Sequence, residues 1–294
     1  MTSIKDVAEA AGVSTATVSR VLSNKPHVRT EIRERVLAVV DNLKYRPNRV
    51  ARSLRVQKSN IIGLIVSDIQ NPFFTAVSRA VEDLAYEHKL NVFLCNADEN
   101  PQKEKMYLDL MRDENVAGVI LSPTRQTADS FSEVTKLETP VVVIDRRVRD
   151  AEVDSVNIDN VEAAYRLVKH LLANGHHRIG ALFGLGSTTG RERHEGYLLA
   201  LKEHDIKPMP ELVHYVNAWE EEGYQKAKEL LALAKPPEAI FTSNALLSAG
   251  AFRALKESGL AIPNEIAFAS FDETRWGTLV EPPVTVIEQP TYEN

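Results

Sequence analysis

The 294-residue sequence contains one cysteine, Cys95, so no disulfide can close within the chain and nothing points to an oxidising compartment. No apolar run approaches the roughly 18–20 residues that a membrane-crossing helix needs. The opening MTSIKDVAEA lacks the basic stretch and apolar core of a secretory leader. These absences lead us to expect a cytoplasmic protein without membrane contact. Nucleotide motifs are missing too. GLGSTTG (184–190) is glycine-rich, but its spacing misses G-x-G-x-x-G and no Gly-Lys-Ser/Thr follows, so it reads better as a ligand loop. His176 and His177 follow Gly175 at a helix end, where cations complement the dipole, and they have no metal-ligand spacing. Cys95 ends an apolar strand and reads as core. We expect no cofactor, no metal and no catalytic site.

The charge that is present is unevenly placed. The whole chain carries a net −6, which by itself argues against nucleic acid. Residues 1–57, however, hold 11 Lys+Arg against 5 Asp+Glu, a net of +6, which leaves −12 for the remainder. A basic head on an acidic body is the asymmetry of a separate polyanion-binding module.

Within that head, IKDVAEAAGVSTATVSRVL (4–22) predicts two short helices about a glycine turn. Ile4, Val7, Ala8 and Ala11 recur at helical spacing. Gly12 stands where the first helix stops, and Ser14 can cap the second. Val18, Val21 and Leu22 give the second helix a buried stripe. Its outward face then carries Thr15, Ala16, Thr17, Ser19 and Arg20, side chains suited to the major groove of DNA. A third helix carries Ile32, Val36, Val39, Val40 and Leu43 on one face. The segment RPNRVARSLRVQK (46–58) is too polar and basic to form a core.

From Ile61 the pattern becomes alternating strands and helices. IIGLIV (61–66), NVFLC (91–95), VAGVIL (116–121) and PVVVI (140–144) alternate with helical stretches near 74–89, 101–114 and 127–137. The pattern then repeats, beginning with SVNI (155–158) and continuing through RIGALF (178–183), LVHYV (212–216), EAIF (238–241) and IAFASF (266–271). Intervening helices are expected near 160–174, 191–204, 220–234 and 244–258. Alternation of this kind implies parallel strands with crossover helices. Two such halves imply two doubly wound lobes, with ligand bound in the cleft outside the strands' carboxyl ends.

In their order, the helix pair, YRPNRVARSLR (45–55), NPFF (71–74), GHHRI (175–179), RHEGY (193–197), SNALLSAGA (243–251) and FASFDE (268–273) resemble the lactose/galactose repressor family. The resemblance implies a small all-α helix-turn-helix head (1–45), a hinge (46–58) and a periplasmic-binding-protein-like α/β body of two doubly wound parallel-sheet lobes (59–294). It also implies a further helix and strand after Asn294, so the body reads as ending short of the family's usual terminus. The function implied is that of an effector-controlled DNA-binding regulator, most often a repressor, working as a homodimer on a near-palindromic operator, with a tetramer left open.

By the same resemblance Thr15, Ala16 and Arg20 read base edges, while Ser14, Thr17, Ser19 and Asn24 contact phosphates. Asn48 through Arg55 form a short helix on DNA. In it Leu54 wedges into the minor groove, and Arg52 and Arg55 face the phosphates or the groove floor. Arg193 and Asp272 bind effector hydroxyls or a carboxylate. Trp219 packs against a sugar face, and Phe73 and Phe74 wall the site from the first lobe. Asn244 matches a binding position, while Asp145, Ser187, Thr189 and Gln289 are further candidates, each equally readable as structural. The effector expected is a sugar or sugar acid, the acid being suggested by Arg191. The competing readings are a periplasmic-type sugar-binding protein, which the DNA-binding head argues against, and an α/β enzyme, which no acid/base pair supports.

Overall fold

The computed structural model describes residues 2–45, 59–129, 131, 134, 138–149 and 151–292. The chain divides into two compact units, Met1–Ser59 and Asn60–Asn294. The hinge residues Asn48, Arg52, Leu54 and Arg55 lie outside the described residues.

Among the described residues, the first unit is built on three helices. Helix α1 (Ile4–Ala11) starts in a reciprocal cap between Ser3 and Asp6 and stops at Gly12, whose φ of 64° no side chain opposes. Helix α2 (Thr15–Leu22) is capped by Ser14, whose Oγ accepts from the Thr17 amide at 3.1 Å. Helix α3 (Thr30–Asn42) begins at Arg29 with no side-chain cap. Val7, Ala8, Ala11, Val18, Val21 and Val36 form the buried core, and Leu22, Ile32, Val39 and Val40 pack around it.

The second unit is two parallel five-stranded sheets. The first contains β1 (Ile61–Val66), β2 (Asn91–Asn96), β3 (Gly118–Leu121), β4 (Val141–Ile144) and β5 (Asp154–Val156), in the order β2-β1-β3-β4-β5. Its helices are α4 (Pro72–Glu87), α5 (Pro101–Asp113) and the short α6 (Arg125–Asp129). The second sheet contains β6 (Ile179–Gly184), β7 (Val213–Val216), β8 (Ala239–Thr242), β9 (Ala267–Phe271) and β10 (Thr285–Ile287), with helices α7 (Asn160–Ala173), α8 (Thr188–Glu203), α9 (Glu220–Leu231) and α10 (Ala245–Ser258). Its order, β7-β6-β8-β9-β10, is the first sheet's order repeated. No helix among the described residues is long and apolar enough to cross a membrane.

Three features differ from the sequence reading. SVNI does not open the second half: β5 pairs in parallel with β4 at the edge of the first sheet. Thr285–Ile287 adds a strand the pattern did not announce. Both strands have three residues, none of them buried, so neither produces an apolar run. Of the helix expected at 127–137, the described part is α6, and much of the remainder lies outside the described residues.

The chain passes between lobes twice. It leaves β5 for α7 through residues 157–159. After β10 it returns to the first lobe, where the Tyr292 hydroxyl donates to Asp83 on α4 at 2.7 Å.

Candidate functional site

On the head, Ser14, Thr15, Ala16 and Arg20 are exposed along the start and outer face of α2, with Thr17 and Ser19 half-buried beside them. Ser14 and Thr17 are already engaged with each other, their hydroxyls 3.0 Å apart in the cap. Asn24 is exposed at a φ of 49°, with its Oδ1 accepting from Arg33 at 2.6 Å. Arg33 also donates to the Lys25 carbonyl at 2.9 Å, so it braces the loop after α2. Sequence reasoning missed Arg33, which a scan for α3 cations facing that loop would have found.

In the body, the carboxyl ends of the two sheets converge on a cavity of about 200 Å³. Loops after every strand except β5 contribute to its lining, as expected where parallel strand order reverses. All ten candidate residues of the sequence reading line it: Phe73, Phe74, Asp145, Ser187, Thr189, Arg193, Trp219, Asn244, Asp272 and Gln289.

Asp145 and Asp272 occupy equivalent places. Asp145 follows β4 at φ 67° and Asp272 follows β9 at φ 68°. Each donates its backbone N–H to the last residue of the neighbouring edge strand, Val156 at 3.2 Å and Ile287 at 2.9 Å. Aspartate tolerates this left-handed conformation better than most residues. Burial pushes the Asp145 carboxyl up to about 6. Arg146 and Arg193 oppose that shift, and Asp272 and Glu99 add to it. The Asp272 carboxylate accepts from Gln289 Nε2 at 2.6 Å, which fixes its orientation.

Arg193 is 4% exposed. Its guanidinium lies 3.8 Å from the centroid of the Phe271 ring and donates to Asn160 Oδ1 at 2.8 Å and to the Ser243 carbonyl. Burial pulls its pKa down, and Asp272 and Asp145 hold it up. Ser187 and Asn244 have structural duties at the rim. They cap α8 and α10 by accepting from Gly190 and Leu247, each at 2.9 Å. Thr189 bonds Ser187 at 3.4 Å. Trp219, immediately before α9, is 59% exposed and forms an open aromatic wall. Phe73 and Phe74 meet edge-to-face at 5.0 Å, Phe74 being buried among Leu64 and Val66 as well as reaching the cavity.

The structure adds an ionic cluster that the sequence reading missed. Glu99, after β2, pairs with Arg146 after β4 and with Arg125 after β3. Burial opposes ionisation of Glu99, but the two guanidiniums prevail and hold its carboxyl below the usual range. The buried Arg146 Nε–H has no hydrogen-bond partner among the described residues; Asp145 Oδ2 lies 3.6 Å away. Its place beside Asp145 at a strand's carboxyl end was the available signal. Arg191 does not line the cavity and instead reaches the Gly186 carbonyl at 3.2 Å.

A helix-turn-helix unit followed by two like-wound lobes around a polar cleft defines a ligand-responsive DNA-binding protein. Residues 3–48 match the bacterial regulatory proteins of the lacI family. Residues 59–293 match the periplasmic binding proteins and sugar binding domain of the LacI family. The chain belongs to the LacI family and is a helix-turn-helix transcriptional regulator.

It is 33% identical to the transcriptional regulator RegA of Clostridium saccharobutylicum, over 99% of this chain and 89% of that protein. It is 34% identical to the transcriptional repressor PurR of Actinobacillus pleuropneumoniae, over 98% of this chain and 86% of that one. Among solved structures, the lac repressor dimer bound to operator and the anti-inducer ONPF is similar at 28% identity. The TM-score is 0.85, covering 99% of this chain and 88% of that chain.

Proposed function

We propose that this regulator is a cytoplasmic repressor, without enzymatic activity, that binds a near-palindromic operator as a homodimer and is controlled by a neutral sugar in the interlobe cleft. The observation that carries the effector reading is the convergence of Asp145, Arg193 and Asp272 with Trp219, Phe73 and Phe74 around one cavity. Carboxylates and guanidiniums suit hydroxyls that both donate and accept, and the aromatic rings suit the apolar face of a sugar.

The ionic inventory favours a neutral ligand over a sugar acid. Asp68, Asp98, Glu99, Asp145 and Asp272 line the cavity against Arg125, Arg146 and Arg193. Glu99 already pairs with Arg125 and Arg146, and Asp272 and Asp145 face Arg193. A ligand carboxylate would add to an acidic surplus, whereas a neutral hydroxyl would not.

Two measurements test the reading. A thermal-shift panel of neutral mono- and disaccharides, sugar acids and purines should give its largest stabilisation with a neutral sugar; a sugar acid or purine in first place refutes the effector class. Gel shifts on palindromic DNA should weaken by about 10³-fold or more between 50 and 200 mM salt. A salt-independent shift refutes the operator reading.

Dimerisation is supported by the lac repressor relative, solved as a dimer on operator. Arg20, Thr15 and Ala16 are the proposed base readers. Asn24, braced by Arg33, and the half-buried Ser19 and Thr17 are the proposed phosphate contacts that set register.

A further inference from the structure

We infer that Asn160 is a positioning residue that couples the cleft arginine, Arg193, to closure of the two lobes. This rests on the cleft being the effector site.

Asn160 is the first residue of α7, placed immediately after the chain crosses from the first lobe to the second, and it is 2% exposed. Both ends of its amide are used. Oδ1 accepts from Arg193 Nε at 2.8 Å, and Nδ2 donates to Glu192 Oε2 at 2.8 Å. The other oxygen of Glu192, Oε1, lies 3.6 Å from Nε of Arg147, which belongs to the loop after β4 in the opposite lobe. A continuous run of side-chain contacts therefore leads from the cavity floor to an ion pair spanning the lobes. An asparagine suits this place because it accepts on one side and donates on the other. An aspartate would keep the bond from Arg193 but turn a like charge toward Glu192.

A second interlobe contact is independent of that run. Arg125, held by Glu99, donates through Nη1 to the Leu185 carbonyl in the loop after β6, at 2.6 Å. No residue is shared between the two contacts. Asn160 and Arg147 act in series through Glu192, whereas Arg125 and Arg147 act in parallel. Ligand that draws on Arg193 changes the geometry Asn160 presents to Glu192, and so the fit of the pair with Arg147.

The arrangement is tested without effector, on the full chain in a Cys95→Ala background. Spin labels are placed at Lys105→Cys on α5 and Lys256→Cys on α10, and labelled chain is diluted with unlabelled chain. The readout is the distribution of interlobe distances. Arg147→Gln should shift the open-to-closed ratio by about two- to fivefold, the range of an exposed pair. Asn160→Ala should produce a similar shift that does not add to that of Arg147→Gln, while Arg125→Gln should add to it.

Glu192→Gln and Asn160→Asp provide the same test should Asn160→Ala fold poorly. Arg149→Gln, exposed on the same loop, should leave the distribution unchanged. An unshifted distribution in both Asn160 variants overturns the coupling, as does full additivity with Arg147→Gln. Neither result touches the effector reading, because no ligand is present.

Discussion

Asp145 bears opposite consequences for stability and for binding. Its carboxyl titrates near 6 in the folded chain against 3.8 as its ordinary value. The folded state thus holds this proton more tightly than the unfolded state. The associated stability is fully present below about pH 4 and is lost as pH rises through 6, a cost on the order of 3 kcal/mol. Asp145→Asn removes that cost. The variant should resist urea better than the parent at pH 7.5, with the gap closing as pH falls toward 4, while its affinity for the effector drops. A variant no more stable at pH 7.5 refutes this assignment. Asp272 was legible in sequence from its place at a strand's carboxyl end, whereas Asp145 was equally readable as structural. The Glu99–Arg146 pair was not legible, because its partners come from separate loops 47 residues apart and leave no local pattern.

At the scale of elements, glycines at helix contacts, Gly196, Gly223 and Gly250, set how closely helices approach in the second lobe. A Cβ on Gly196 of α8 would stand 2.2 Å from the Val161 carbonyl oxygen of α7. A Cβ on Gly250 of α10 would stand 1.8 Å from that of Glu220 on α9. Both obstacles are backbone and cannot rotate away. Gly250→Ala should separate α9 from α10 and destabilise the body by about 1–3 kcal/mol or more, read from the urea midpoint. An unchanged midpoint would show that the pair can spread freely. The buried strands and amphipathic helices were readable because their apolar runs and stripes are long. Of the edge strands, β5 was readable as a strand but not as part of the first sheet, and β10 was not readable, since it buries no residue and its run follows Pro282 and Pro283.

For the whole molecule, the basic head and acidic body divide recognition from control. Leu54 belongs to the hinge predicted from sequence to wedge into the minor groove. Leu54→Ala should weaken operator binding in gel shifts while leaving effector affinity within about twofold, since the two sites use different residues. Equal loss of both would tie the hinge to the cleft directly. The repeated strand order has a further consequence for what the cleft can measure. On the proposed effector reading, each lobe would grip through one aspartate at the same turn of the equivalent strand, Asp145 after β4 and Asp272 after β9. A ligand engaging one of the two would bind without favouring either arrangement of the lobes, and only one engaging both would be felt at the DNA.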